Sequence, residues 1–292
     1  MKFSPNIESI SKVVDRYDVF ILDQWGVMHD GSVGYSHAVN CINKLAQLKK
    51  KLIIVSNTSK RKKTTFDQLT KLGFEKNSFF EIITSGEMIW QNLYTKSNKF
   101  IKTLGSNCYH FFDQTKEDSL KYIEGLDYNF VNNIEDADFI LGCTPSYGFT
   151  TLDYVPLLEK AIKKNLPFVC ANPDFETIES SFNNLIICMG TLAELYKDFG
   201  GKVIIMGKPS TSIYREATKN LTSINKSKIL AVGDSIYHDI KGANNFKIDS
   251  VLITSGIHKL YFDTNNPKWE SDSNVLKKTN IKPTYLSYKF LF

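Results

Sequence analysis

The chain contains 292 residues, of which 42% are hydrophobic and 23% are charged. These values are typical of a globular protein with one large domain or two smaller ones. The formal net charge is +5, but scattered lysines carry most of it, and arginine occurs only at positions 16, 61 and 215. A nucleic-acid-binding surface usually shows clustered arginines with aromatic residues between them, so we expect no nucleic-acid partner.

Cysteine usage and hydropathy indicate the compartment. The five cysteines, at positions 41, 108, 143, 170 and 188, show no Cys-x-x-Cys pair, which is typical of reduced, buried thiols. No segment approaches about eighteen uninterrupted apolar residues, and the first residues contain no apolar signal core. We therefore expect a cytoplasmic protein without membrane association.

Strands and helices are predicted to alternate from the beginning of the chain. The predicted helices are 6–15, 36–50 and 61–72, and the predicted strands are 18–23, 52–56 and 80–84. This alternation favours a parallel sheet wound in the right-handed sense.

A second alternation follows, with helices 85–95, 116–124 and 151–164 and strands 99–104, 138–142 and 167–171. The first domain is then predicted to resume with helices 191–199 and 237–245 and strands 203–206, 229–232, 250–253 and 283–286. We therefore expect a core domain of residues 1–84 and 188–292 and an inserted α/β domain of residues 85–187. The polar tract 262–278 is expected to be a surface loop.

Asp23 directly follows the apolar residues Phe-Ile-Leu in the segment Phe-Ile-Leu-Asp-Gln-Trp-Gly-Val, residues 20–27. In open parallel sheets ligands bind at the carboxyl ends of the strands, so this position suits a reactive carboxylate. The backbone carbonyl of Trp25, two positions later, can face the same site. A capping aspartate on a buried strand is the alternative.

Two further strand ends carry groups that suit a phosphate. Ser56 and Asn57 end the run Leu-Ile-Ile-Val, and with the free N–H groups of the next helix they would form an anion cradle. Thr58 or Ser59 as a helix cap explains the same pattern. Lys208 lies between Gly and Pro after the run Val-Ile-Ile-Met, where an ammonium can neutralise a phosphoryl oxygen.

The run Ile-Leu-Ala-Val-Gly ends in Asp234, and Asp239 follows five residues later. Paired carboxylates at a strand end suit a hard cation such as Mg²⁺, which prefers oxygen ligands. A helix cap at Asp234 and a surface residue at Asp239 form the structural alternative.

Taken in order, these four segments resemble the motifs of the haloacid dehalogenase superfamily of phosphohydrolases. The resemblance implies a Rossmann-like core with Asp23 as nucleophile, Ser56 and Asn57 as phosphate ligands, and Lys208 as a catalytic and phosphate-binding lysine. It also implies Mg²⁺ held by Asp23, the Trp25 carbonyl and Asp234. Asp239 is expected to orient Lys208 or a water molecule.

The inserted domain resembles the α/β cap of the class IIA branch, which includes nitrophenyl-phosphatase-like and pyridoxal-phosphatase-like enzymes. Ala171-Asn172-Pro173-Asp174 resembles the Asn-Pro-Asp stretch of that branch. Asn172, Asp174 and the Gly142–Phe149 loop are therefore candidate substrate contacts. Cap-mediated dimers are common in this branch, so a homodimer is one expected arrangement.

Trp25 departs from the superfamily's usual Asp-x-Asp-Gly pattern, in which the second carboxylate protonates the leaving oxygen. An indole N–H does not titrate in the useful range, so Trp25 cannot be a general acid. His29, Asp30 or a metal-held water are candidate replacements, although Asp30-Gly31 also fits a plain turn.

The expected function is Mg²⁺-dependent hydrolysis of a small phosphorylated metabolite through an aspartyl-phosphate. Two alternatives remain open from the sequence. One is a protein that binds a phosphometabolite and turns it over weakly. The other is a dehalogenase, a branch in which an aromatic residue also follows the nucleophile, but the acidic Asp234 argues against it.

Overall fold

The computed structural model describes residues 4–115, 117–178, 185–222, 225–259, 262, 276 and 280–292. These ranges contain strands β1 (Val19–Leu22), β2 (Lys51–Ser56), β3 (Glu81–Thr84), β4 (Asn107–Phe111), β5 (Asn129–Val131), β6 (Phe139–Gly142), β7 (Phe168–Cys170), β8 (Glu176–Ile178), β9 (Leu185–Ile187), β10 (Val203–Ile205), β11 (Ile229–Gly233), β12 (Asp249–Ile253) and β13 (Tyr285–Ser287). The α-helices are α1 (Ser36–Gln47), α2 (Lys62–Lys71), α3 (Ser85–Thr95), α4 (Glu117–Lys121), α5 (Thr151–Lys163), α6 (Met189–Asp198), α7 (Thr211–Thr218) and α8 (Lys241–Phe246), the last preceded by a π-helical turn at Ile236–Ile240.

The first sheet is parallel and has the strand order β13-β12-β11-β1-β2-β3. Every residue of β1 and β11 is buried, as expected for central strands that helices cover on both faces. On one face α1 packs through Ala38, Ile42 and Leu45, which lie one helical turn apart. On the other face α7 packs through Ile213 and Ala217.

The second sheet lies between β3 and β11 in the chain and has the order β10-β7-β6-β4-β5, again parallel. Two apolar clusters cover its faces, one around Leu141 and Val169 and the other around Ile140 and Phe168. The α/β fold class, with a Rossmann-like core sheet and an inserted α/β domain, is therefore confirmed.

The second sheet extends further along the chain than predicted. The expected return to the core domain at residue 188 is wrong for α6 and β10, because β10 pairs with β7 and α6 packs on the same sheet through Leu192 and Tyr196. A short apolar strand can join the edge of either sheet, and its sequence does not say which. We therefore propose that the inserted domain ends just after β10.

Other local predictions also differ from the structure. Residues 99–104 are not a strand but contain a 3-10 turn, Ile101–Thr103, because the side chain of Asn98 accepts the N–H of Phe100 at 2.9 Å and starts a turn. In place of the predicted helix 6–15 the structure has two short 3-10 turns, Ile10–Lys12 and Val14–Arg16. The β8-β9 hairpin and α7 were not predicted, and most of the tract 262–278 lies outside the described residues.

The cysteines and the helices were the basis of the predicted compartment. All five cysteines are buried and form no disulfide with one another, as predicted for these positions. In the described part of the chain, no helix has both the length and the apolar character that crossing a bilayer requires.

Phe168→Ala tests the packing of α6 against the second sheet. Phe168 is fully buried, with its ring centroid 5.6 Å from that of Tyr196, so its truncation leaves a cavity. We expect the free energy of unfolding, measured with urea, to fall by about 3–5 kcal/mol. Leu152→Ala, at a 77% exposed position on α5, is the control. A loss below about 1 kcal/mol for Phe168→Ala would contradict this packing.

Candidate active site

The site lies where the carboxyl edges of the two sheets meet. Asp23 directly follows β1, and Asp234 directly follows the neighbouring strand β11. Lys208 follows β10, at the carboxyl end of a strand of the second sheet. Parallel strands bring their carboxyl ends to one edge, so each sheet delivers its polar strand-end residue to the same place.

Lys208 connects the two domains through its side chain. Its Nζ lies 2.6 Å from Oδ1 of Asp23 and 2.7 Å from Oδ1 of Asp239, and the three residues are buried. Burial opposes the charge on the lysine, but the two carboxylates outweigh it and raise the pKa of Lys208 well above its usual value. The ammonium therefore stays charged throughout the physiological range.

Asp234 brings a third carboxylate to this cluster. Oxygens of Asp23, Asp234 and Asp239 lie within 4.8 Å of one another. Burial raises the pKa of Asp23 to about 7, against the opposing effect of Lys208. Burial, together with the charge of Asp23, holds the pKa of Asp234 well above the usual range of a carboxyl. If all three carboxyl groups were ionised, they would leave excess negative charge around the one ammonium, and this repulsion adds to burial in raising the pKa values of Asp23 and Asp234.

That excess charge fits a divalent cation with oxygen ligands. The backbone also approaches Asp234 closely, because a Cβ atom at Gly26 would lie 1.9 Å from its Oδ2 and one at Gly256 would lie 2.2 Å from it. Gly26 also has φ +73°, a conformation that favours glycine. These residues fit Mg²⁺, and the metal-ligand roles of Asp23, the Trp25 carbonyl and Asp234 stay predictions.

Ser56 and Asn57 lie beside the cluster, at the end of β2. Ser56 is buried, and its Oγ accepts the N–H of Thr58 at 3.3 Å. The side-chain oxygen of Asn57 accepts the N–H of Lys208 at 2.7 Å, and its Nδ2 donates to the Lys208 carbonyl at 3.0 Å and to Oδ1 of Asp174 at 2.8 Å. The side-chain amide thus positions Lys208 and the cap, and the phosphate-binding roles of Ser56 and Asn57 stay predictions.

Trp25 lines a cavity of about 200 Å³ in front of Asp23 and Lys208. Its ring packs edge-on against His29, with centroids 5.2 Å apart. A Cβ atom at Gly31 would lie 2.3 Å from the same ring. The indole is therefore fixed by its neighbours and occupies the position where a general acid was expected.

Neither His29 nor Asp30 is among the described residues that line this cavity. His29 is fully buried, and burial lowers its pKa to about 4. Oδ1 of Asp30 accepts the N–H groups of Ser32 and Val33 at 3.0 and 2.8 Å, which forms a turn. The turn interpretation of Asp30 is therefore correct. A proton-donor role for His29 or Asp30 stays a prediction.

Several residues of the cavity wall were not predicted. Phe175, from the cap, contacts His238 with ring centroids 4.8 Å apart, and Nδ1 of His238 lies 3.5 Å from Oδ1 of Asp174. Tyr237 and His258 complete this wall. Their only sequence signal is that Phe175 directly follows the Asn-Pro-Asp stretch and His238 directly precedes Asp239.

A larger cleft of about 590 Å³ adjoins the cavity between the two domains. Trp25, Asp174 and Thr177 line both spaces, so the two spaces adjoin at these residues. Asn172 also lines the cleft, and its Oδ1 accepts the N–H of Asp174 at 3.2 Å. Residues of the Gly142–Phe149 loop contribute to the same wall. The predicted cap contacts thus surround the cleft, and their role toward a substrate stays a prediction.

Two family models match the chain. The model described as haloacid dehalogenase-like hydrolase matches residues 20–122, and a HAD-hydrolase-like model matches residues 205–285. The two matches contain Asp23, Ser56, Lys208 and Asp234. They therefore cover the segments from which the site is built.

Three known proteins are similar over most of the chain. A 4-nitrophenylphosphatase of Schizosaccharomyces pombe is 23% identical over 261 residues, which are 84% of this chain and 86% of the relative. A haloacid dehalogenase-like hydrolase of Brucella suis 1330 has 28% identity and a TM-score of 0.81, covering 98% of this chain and all of its own.

The third is a glycerol phosphate phosphatase of Mycobacterium tuberculosis, solved in complex with magnesium. It is 20% identical with a TM-score of 0.66, covers 95% of this chain and 76% of its own, and shows similarity of fold alone. The family models and the shared fold lead to one conclusion. The chain is a hydrolase of the haloacid dehalogenase superfamily.

Proposed function

We propose that this hydrolase is a phosphatase that acts on a small phosphorylated metabolite, cleaving a phosphoric monoester or an acyl phosphate. One observation carries the proposal: Lys208 bridges Asp23 and Asp239 in a buried cluster that also contains Asp234. The similarity to a 4-nitrophenylphosphatase and to the fold of a glycerol phosphate phosphatase supports it.

In the proposed reaction, a carboxylate oxygen of Asp23 attacks the phosphorus. The new P–O bond forms as the bond to the leaving oxygen breaks, which gives an aspartyl-phosphate. Water then attacks the same phosphorus, releases inorganic phosphate and restores the Asp23 carboxylate. Lys208, the Ser56 hydroxyl and the Asn57 backbone N–H bind the phosphoryl oxygens, and Asp239 holds the lysine in place.

The carboxylates of Asp23 and Asp234 and the carbonyl of Trp25 would hold Mg²⁺. When bound, this ion offsets the repulsion between the attacking carboxylate and the phosphate. The magnesium complex of the Mycobacterium tuberculosis phosphatase supports the choice of metal. Cap residues such as Asp174 and Phe175 exclude bulk water from the cavity while the first bond breaks.

Asp23→Asn removes the proposed nucleophile but keeps the side chain's size. We expect kcat for 4-nitrophenyl phosphate to fall by about four orders of magnitude or more, while circular dichroism shows an intact fold. Asp18→Asn, the same change at the exposed opposite end of β1, is the matched control and keeps its activity. Near-wild-type turnover by Asp23→Asn would move the nucleophile elsewhere.

Trp25 makes the rate depend on the leaving group, because no carboxylic acid is present there to protonate it. We expect kcat for aryl and acyl phosphates to be about 10²–10⁴-fold higher than for alkyl phosphates. The measurement is kcat for a series of substrates whose leaving groups differ in pKa. Trp25→Asp is expected to reduce this dependence. Trp25→Asn, which has the size of the aspartate variant but no acidic group, is expected to keep it. Equal rates across the wild-type series would show that another acid acts.

Metal binding is expected to stabilise the folded protein, because Mg²⁺ offsets the excess negative charge of the three carboxylates. At a hundredfold excess over Kd the gain is about 2.7 kcal/mol, visible as a higher melting temperature in calorimetry. Asp234→Asn is expected to lose this gain, and the exposed Asp136→Asn to keep it. Turnover that persists in excess EDTA, or metal-free chloride release from a haloacid, would argue against the phosphatase.

A further inference from the structure

The larger cleft between the domains is acidic. Its described lining contains four carboxylates, Asp30, Asp113, Asp118 and Asp174, against one basic residue, Lys60. This composition is opposite to the chain's net charge of +5. An anionic group in this cleft would be repelled, and a cationic group attracted.

Three of the four carboxylates pair with neighbouring groups and have no buried oxygen without a partner. Asp30 accepts the N–H groups of its own turn, Asp118 lies 3.4 Å from Nζ of Lys60, and Asp174 accepts Nδ2 of Asn57. These contacts explain why each carboxylate is present. Asp113 differs from them, because one of its carboxylate oxygens is buried without a partner.

Asp113 is 2% exposed. Its Oδ1 accepts the N–H of Thr115 at 3.0 Å and the Thr115 hydroxyl at 2.7 Å, whereas its Oδ2 is buried without a hydrogen-bond partner. A buried carboxylate oxygen without a donor is costly, and such positions are often functional. A donor supplied by a ligand would satisfy this unpaired oxygen.

The position of Asp113 agrees with a ligand contact. It lies two residues beyond β4, at the same carboxyl edge of the second sheet that presents Asn172 and Lys208. Trp25 and Asp174 line both the cleft and the cavity around Asp23. A molecule with its phosphate in the cavity can therefore extend its leaving group toward Asp113.

We propose that Asp113 binds an ammonium group on the leaving group of the substrate. The inference rests on the proposed phosphatase function and narrows its substrate class to phosphomonoesters of an amine-bearing alcohol or phenol. An ammonium supplies both the donor that Oδ2 lacks and the charge that the acidic cleft favours. Leaving groups with a carboxylate or a second phosphate are disfavoured for the same reason.

Two phosphonates that cannot be hydrolysed test this proposal on the intact protein with Mg²⁺. They are 4-(aminomethyl)benzylphosphonate and its uncharged counterpart 4-(hydroxymethyl)benzylphosphonate. By isothermal titration calorimetry we expect the wild type to bind the ammonium compound about tenfold more tightly. Asp113→Asn keeps an oxygen that can accept hydrogen bonds from Thr115. We expect it to lose this preference and to bind the uncharged compound as tightly as the wild type does. Asp136→Asn, an exposed carboxylate of the same domain, keeps the preference.

If Asp113→Asn fails to fold, Asp113→Ser replaces it in the same titration, because the wild-type preference alone does not separate Asp113 from the other carboxylates of the cleft. Equal binding of the two phosphonates, binding of neither, or a preference that survives Asp113→Asn would overturn it. Hydrolysis of 4-nitrophenyl phosphate by the same preparation tests the phosphatase function separately. Hydrolysis without the preference overturns only the ammonium site, and the preference without hydrolysis overturns only the phosphatase function.

Discussion

The site depends on one buried ammonium that needs carboxylate partners from another part of the fold. Lys208 is carried by the second sheet, whereas Asp23 and Asp239 belong to the first. An unpaired charge buried to this extent costs several kcal/mol, so the lysine is stable there only while both carboxylates face it. The contact that prepares Asp23 for chemistry therefore also holds the two domains together.

Asn57 reinforces this arrangement through hydrogen bonds to the backbone of Lys208 and to the cap residue Asp174. One side chain from the first sheet thus fixes both the catalytic lysine and the wall of the cavity. The bond from Asn57 to Asp174 joins the first sheet to the cap wall of the cavity. A closed cap therefore suits a reaction that must exclude water in its first step.

Much of the site could be predicted because its signals are local in sequence. A polar residue that directly follows a buried apolar run lies at a strand end, and the carboxyl ends of parallel strands converge. That reasoning was enough to bring Asp23, Ser56, Lys208 and Asp234 into one region. The metal and phosphate roles of these residues remain predictions.

The remaining features depend on pairings between distant segments. Nothing in residues 203–205 indicates that β10 joins the second sheet, and the Asn57 amide finds its partners more than a hundred residues away. The turn at Asp30, by contrast, is local and could be read from the Asp-Gly pair. Asp113 carried no motif at all, since its open oxygen is apparent only once the cleft is formed.

The most direct test of the central claim is to trap the covalent intermediate. Rapid acid quench during turnover of a ³²P-labelled aryl phosphate, followed by borohydride reduction and peptide mass analysis, identifies the carboxyl group that carries the phosphoryl group. The account predicts labelled protein and conversion of residue 23 to homoserine. Label on another residue, or steady turnover with no protein-bound phosphate, would contradict it.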